Sequence, residues 1–189
     1  AIDNAANIGI DAVILADPGL MRYAVDKHPD LRLHLSVQGS ATNADAINLY
    51  QQQFNIQRAV LPRVLSLEQV KQVTQRTGVE IEVFGFGSLC VMVEGRCALS
   101  SWVTGQSPNN AGVCSPAAAV RWNDRPDGGV DARLNDVLID RYGPTEARGY
   151  PTLCKGRFDV EGRREYALEE PTSLNTLALI PQLIDIGIS

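Results

Sequence analysis

Through roughly the first ninety residues, short apolar runs alternate with amphipathic stretches, the pattern of repeated β-α units that feed a parallel sheet. Four strands are predicted there: DAVILAD at 11–17, RLHLSVQG at 32–39, RAVLP at 58–62 and EIEVFGFG at 80–87. Asp17-Pro18 offers an N-cap followed by a proline at the first helical position, so a helix runs from there to about His28. Asn43 caps a second helix reaching about Phe54, with Ile47, Tyr50 and Phe54 at helical spacing. Ser66-x-x-Gln69 is a capping box, Leu65 and Val70 are its hydrophobic staple, and Gly78 closes the third helix.

From 88 to about 164 this rhythm gives way to glycine, proline, asparagine and cysteine-rich sequence, with weak strands at 137–143 and 157–161. A stretch so long and so poor in apolar repeat needs something to order it, and a bound metal would do so. EYALEEP at 165–171 predicts a fifth strand, and Ser173 to about Ile186 a mostly buried helix that resumes the β-α pattern. The predicted class is α/β, a partial TIM-like (β/α) barrel in one domain. Barrel units occupy 1–87, an insertion 88–164, and a return to the barrel 165–189. Five units cannot close an eight-stranded barrel and the chain does not open on Met, so a fragment truncated at both ends is expected. An open α/β sheet complete in itself is the alternative.

The composition, 44% hydrophobic and 21% charged over 189 residues, is that of an ordinary globular chain. The apolar runs are interrupted by Asn, Gln, Pro and Asp, which argues against a membrane span. No basic and apolar leader opens the sequence, so a cytoplasmic location is expected. With 22 acidic against 17 basic residues, the net charge of −5 repels polyanions and leaves room only for a local basic groove. Nucleic acid is a disfavoured partner on that count.

All four cysteines fall in the insertion, as Cys90-x6-Cys97-x16-Cys114-x39-Cys154. In a reducing compartment thiols stay free, so metal ligation is preferred to disulfides. Four soft thiolates suit iron and complete the ligand set of an iron–sulfur cluster. Structural zinc uses the same donors, but usually in tight pairs that this chain lacks. Buried cysteines acting as small hydrophobes are the third reading. Gly87, Gly95 and Gly112 lie near the ligands, where they would permit tight turns and bring amides toward the sulfurs.

Other chemistry is thin. GFGS at 85–88 lacks a third glycine and a following helix, and Ser88 does not sit in G-x-S-x-G, so neither a phosphate loop nor a hydrolytic triad is expected. His28 reads as a helix C-terminal residue and His34 as a strand residue. EGRR at 161–164 reads as a solvated turn. Of the polar groups at strand carboxyl ends, Asp17 is a cap and Glu82 faces solvent or a neighbouring strand. That leaves Gln38 and Arg63 as candidate substrate contacts, Arg63 for a carboxylate.

The stretch FGFGSLCVMVEGRCALSSWVTGQSPNNAGVCSP (84–116) resembles the signature of the collagenase-like peptidase U-thirty-two family, in which G-[SA]-[LM]-C is followed by G-x-C and a serine. LPRVLSLEQV (61–70), SPAAAVRW (115–122) and GYPTLCKGRF (149–158) extend the likeness over nearly the whole chain, toward the family's ubiquinone-biosynthesis branch. The resemblance implies a 4Fe-4S cluster on Cys90, Cys97, Cys114 and Cys154. It implies a heterodimer with a UbiV-like paralogue, working with a lipid-binding accessory protein of quinone biosynthesis. The reaction implied is O₂-independent hydroxylation of a ubiquinone ring precursor, with prephenate as oxygen donor. Proteolysis is not expected, because no protease nucleophile is supplied. The alternatives are the family's RNA-hydroxylation branch and a non-catalytic binding or scaffold protein stapled by zinc.

Overall fold

Strand β1 (Ala12–Leu15) pairs in parallel with β2 (Arg32–Leu35), β2 with β3 (Arg58–Val60) and β3 with β4 (Glu80–Glu82), so neighbours in sequence are neighbours in the sheet. Parallel pairing requires a crossover between strands. Helices α1 (Pro18–Lys27), α2 (Ala44–Phe54) and α3 (Leu67–Arg76) supply them. This computed structural model describes residues 1–188, with Asn109 and Ala111 described by their backbone alone. The chain forms two compact units, one of Ala1–Phe86 with the segment from Leu174 onward, the other of Gly87–Ser173.

The three crossover helices of the first unit start where predicted. The Asp17 carboxylate accepts the Leu20 N–H at 2.8 Å, and the Asn43 side chain accepts that of Ala46 at 2.9 Å. Ser66 and Gln69 close both halves of their capping box, at 2.8 and 3.3 Å. Gly78 does not end α3: Thr77 is the C-cap in extended backbone, and the chain runs directly into β4. The strands bury Leu33, Leu35, Ala59 and Ile81, against which the helices set Met21, Ala24, Ile47, Val70 and Val73. Arg58 bridges Glu80 at 2.7 Å and Glu82 at 3.3 Å, which ties β3 to β4 and accounts for Glu82. The class is α/β as predicted, and a parallel four-stranded sheet alternating with helices is compatible with an arc of a (β/α) barrel.

The fifth strand departs from prediction. Residues Arg163–Tyr166 pair antiparallel with Arg157–Val160, joined across Glu161 and Gly162, both at positive φ (50° and 79°). Two left-handed residues in succession make a tight hairpin turn, which folds 163–166 back on its predecessor in the second unit. The chain rejoins the first unit at Leu174, where the Thr176 N–H donates to the Gly85 carbonyl at 2.9 Å. A short 3-10 turn and then a final helix over Ile180–Ile186 follow. Leu183 packs on the core while Ile180 and Ile184 are exposed, so this last helix is shorter and less buried than expected.

The second unit builds a core of its own, contrary to the expectation that it lacks the apolar periodicity to pack. Strands β5 (Val120–Asp124), β6 (Val130–Leu134) and β7 (Val137–Tyr142) form an antiparallel meander. Along β6, Val130, Ala132 and Leu134 point inward at period two, the alternation of a half-buried strand. Leu134 and Ile139 pack with Val103 of helix α4 (Ala98–Thr104) and with Leu153. The hairpin of β8 (Arg157–Val160) and β9 (Arg163–Tyr166) follows. Among the described residues no helix is long and apolar enough to cross a membrane.

Candidate functional site

The same small core links the segments that carry the cysteines. Cys97 is the N-cap of α4, its sulfur accepting the Ser100 N–H at 3.3 Å. One turn on, Val103 packs with Leu153, the residue before Cys154 in the 3-10 turn Leu153–Lys155. The Ser100 hydroxyl donates to the Cys114 carbonyl, which ties the third cysteine to the same helix. Lys155 closes the set: its ammonium donates to the carbonyl of Leu89 at 2.5 Å, beside Cys90. Tyr150 donates to the carbonyl of Ser115, whose own hydroxyl is fully buried with no partner. Gly87, Gly95 and Gly112 all take positive φ, as their predicted turns require.

All four thiols are free. Burial pushes the Cys114 thiol up, and the negative charges of Cys97, Cys154 and Cys90 push the same way, against the Lys155 ammonium. Cys114 is exposed over part of its surface, yet enough chain surrounds its sulfur for burial to dominate. Cys154 is likewise raised by burial, opposed by Lys155 and reinforced by Cys97 and Cys90. The four sulfurs therefore lie within one another's fields. Among the described residues, no three His, Cys, Asp or Glu side chains form a group that could hold a metal ion. As donors, four thiols suit an iron–sulfur cluster, whose several irons spread its ligands more widely than one ion does.

A pH dependence follows for the metal-free chain. A thiol raised in the folded state stabilises the fold below its unfolded value, and that stability is lost as the pH climbs toward the folded one. Alkylation of Cys114 and Cys154 by iodoacetamide is expected to reach half its maximal rate only above pH 9.0, the ordinary cysteine value, and to be faster in urea at any lower pH. Peptide mass mapping checks this. Equal rates in folded and unfolded chain at pH 8 would contradict it.

Gln38 and Arg63 are not gathered in one pocket. Gln38 lies in a 3-10 turn after β2, its N–H donating to the Ser36 hydroxyl at 3.2 Å. Arg63 lies just beyond β3, with its guanidinium stacked 3.4 Å from the Phe84 ring centroid, a cation–π contact. Arg63 and Phe84 line a cavity of about 70 Å³ with Leu61, Val83 and Thr176, and Gln38 is not among its walls. That volume admits a few waters, well below the usual size of a ligand pocket.

Neither histidine is hydrogen-bonded to a serine or cysteine among the described residues. His28 pairs with Asp3 at 2.7 Å, and Tyr23 donates to the same carboxylate at 2.9 Å. His34 is a buried strand residue whose Nε2 has no partner; burial, then Arg58 and Arg32, hold its pKa down. Sequence reasoning missed Ser100, Ser115 and Lys155. Their signal was adjacency: Lys155 and Ser115 each follow a cysteine directly.

Comparison with known proteins bears on this arrangement. The model of Peptidase family U32 matches residues 1–189, the whole chain. The chain belongs to Peptidase family U32. Among curated family relatives, tRNA hydroxylation protein P of Escherichia coli strain K12 is 34% identical over 79% of this chain and 32% of its own length. A 23S rRNA 5-hydroxycytidine synthase of the same organism is 32% identical over 82% of the chain and 23% of its own length. A protein of Methanocaldococcus jannaschii named as an uncharacterized protease is 29% identical over 98% of the chain and 39% of its own length. The chain thus spans about a quarter to two fifths of the length of these relatives. No solved structure matches it.

Proposed function

We propose that this chain is the cysteine-bearing part of a U32 RNA hydroxylation protein, with a 4Fe-4S cluster held by Cys90, Cys97, Cys114 and Cys154. The observation that carries the reading is the joint one of relatives and thiols. Relatives named for tRNA hydroxylation and for 5-hydroxycytidine in rRNA match about four-fifths of the chain, a span that includes much of the four-thiol unit. Bound there, the cluster would supply one-electron redox chemistry. The chain's own residues do the rest. Cys97 and Cys154 are positioned by the packing of α4 on Leu153, and the Ser100 hydroxyl fixes the Cys114 backbone. Lys155 offsets part of the negative charge that four thiolates bring together.

A second reading, UbiU, keeps the cluster and changes the substrate to a ubiquinone ring precursor. A UbiV-like partner and prephenate would complete that system. The net charge of −5 favours it, since RNA phosphates select for cations. Net charge is a sum over the chain, however, and RNA meets only one face of a protein. The reconstituted chain, supplied with the rest of its protein and with prephenate under anaerobic conditions, is assayed on unmodified tRNA and on the ring precursor. A mass gain of one oxygen on a tRNA nucleoside supports the RNA reading. The same gain confined to the ring precursor overturns it in favour of UbiU.

A further inference from the structure

We infer that the outward face of the β5–β7 sheet is a phosphate-backbone contact surface for RNA, a surface that rests on the RNA reading above. Arg121 on β5 lies directly opposite Arg133 on β6. Like charges facing each other across strands are unfavourable, so a folded protein gains nothing from the pair by itself. Several other arginines have a carboxylate close by: Arg58 has Glu80 and Glu82, Arg76 has Asp45, and Arg157 has Asp140 and Glu146. Arg121 and Arg133 have no ion pair among the described residues.

Their anchoring is by backbone instead. One terminal nitrogen of Arg121 donates to the carbonyls of Ala118 and Val120, at 2.7 and 2.8 Å. One of Arg133 donates to that of Asp136 at 2.6 Å. A guanidinium carries five N–H donors, so each keeps at least three for a ligand while its position is fixed. The two line an open groove of about 440 Å³ with Asn123, Asn135 and Asp136, two cations and two amides against one carboxylate. Farther along the sheet, Arg125 and Arg141 both reach Asp131, at 3.3 and 3.7 Å, and Arg125 also meets Asp127 at 2.9 Å. Fixed forks of N–H donors beside neutral amides match the oxygens of phosphodiesters spaced along a strand. Two arginines with no ion pair among the described residues thus stand opposite each other on one sheet face, where a polyanion can approach.

The test is fluorescence anisotropy of a labelled tRNA transcript titrated with the chain at several salt concentrations. The wild type is expected to bind with a log K that falls linearly with log salt. The double variant R121Q/R133Q is expected to bind about ten-fold more weakly, with a slope shallower by about two, one for each phosphate that is no longer neutralised. R121K/R133K keeps the slope, and an unrelated RNA of equal length is weakened to the same extent, because phosphate contacts carry no sequence. If the double variant does not fold, each single glutamine variant carries the comparison, with a slope change of about one. Wild-type binding unchanged in affinity and slope by the glutamines would overturn this face and leave the RNA reading standing. No salt-dependent binding by the wild type would overturn both.

Discussion

Replacing any one of Cys90, Cys97, Cys114 or Cys154 by alanine is expected to cost the chain most of its iron, with cluster occupancy falling by about ten-fold or more. Outer-shell partners of metal sites are already worth about that much, and a missing thiolate leaves one iron open to water and oxygen. The loss is a site effect rather than unfolding. None of the four belongs to the second unit's core, which is made by Val103, Leu134, Ile139 and Leu153. Far-UV circular dichroism is therefore expected to stay unchanged while iron and sulfide fall together. Two alanine variants with full iron content would contradict the ligand set.

The largest expected effect on stability lies a few residues away. Asp140 is 3% exposed on β7, and the Arg157 guanidinium reaches both its carboxylate oxygens at 2.9 Å. Its other end meets Glu146 at 2.6 Å. These two carboxylates push the Arg157 pKa further up, so its guanidinium stays charged. Removing the cation with R157A strands a buried carboxylate, a loss of about 3–5 kcal/mol in urea unfolding. Apolar replacement of both partners, D140L with R157M, is expected to recover most of it, because burying the pair also costs desolvation. Arg157 also holds Glu146 below the usual carboxylate range, by hydrogen bonding first and charge after. A depressed folded value adds stability above the unfolded one that is lost as the pH falls through it. R157A therefore flattens part of the acid limb as well. An unchanged urea midpoint would show that the pair does not support the unit.

Local chemistry is legible in the sequence, and long-range pairing is not. Asp17, Asn43 and the Ser66–Gln69 box start their helices as predicted, because capping depends on residues within one turn. The parallel sheet is legible because its strands follow one another in order. The break comes where pairing turns antiparallel. Glu161-Gly162 lacks the Asn-Gly or Asp-Gly wording of a tight hairpin, so 161–164 reads as a solvated turn and Glu165 and Tyr166 as the start of a strand of the parallel sheet, whereas Arg163–Tyr166 is the returning arm of the hairpin. β5 escapes a reading by pattern because VRWND exposes nearly every side chain, and β6 because its alternation lasts only the five residues VDARL.

Among site residues the cysteines stand out by type and number, and the segments that carry them are linked by contacts such as Val103 with Leu153 that no local pattern encodes. Gln38 and Arg63 stand out by strand-end position alone, and the chain gives them separate surroundings. Net charge is a sum and does not show where charges pair: Glu80 is engaged by Arg58 and Asp140 by Arg157.

Counting metal and acid-labile sulfide in the chain after anaerobic reconstitution tests the central claim most directly. About four irons and four sulfides per chain, with the absorption and EPR signature of a 4Fe-4S centre, are predicted. Stoichiometric zinc without sulfide, or no bound metal, would contradict it.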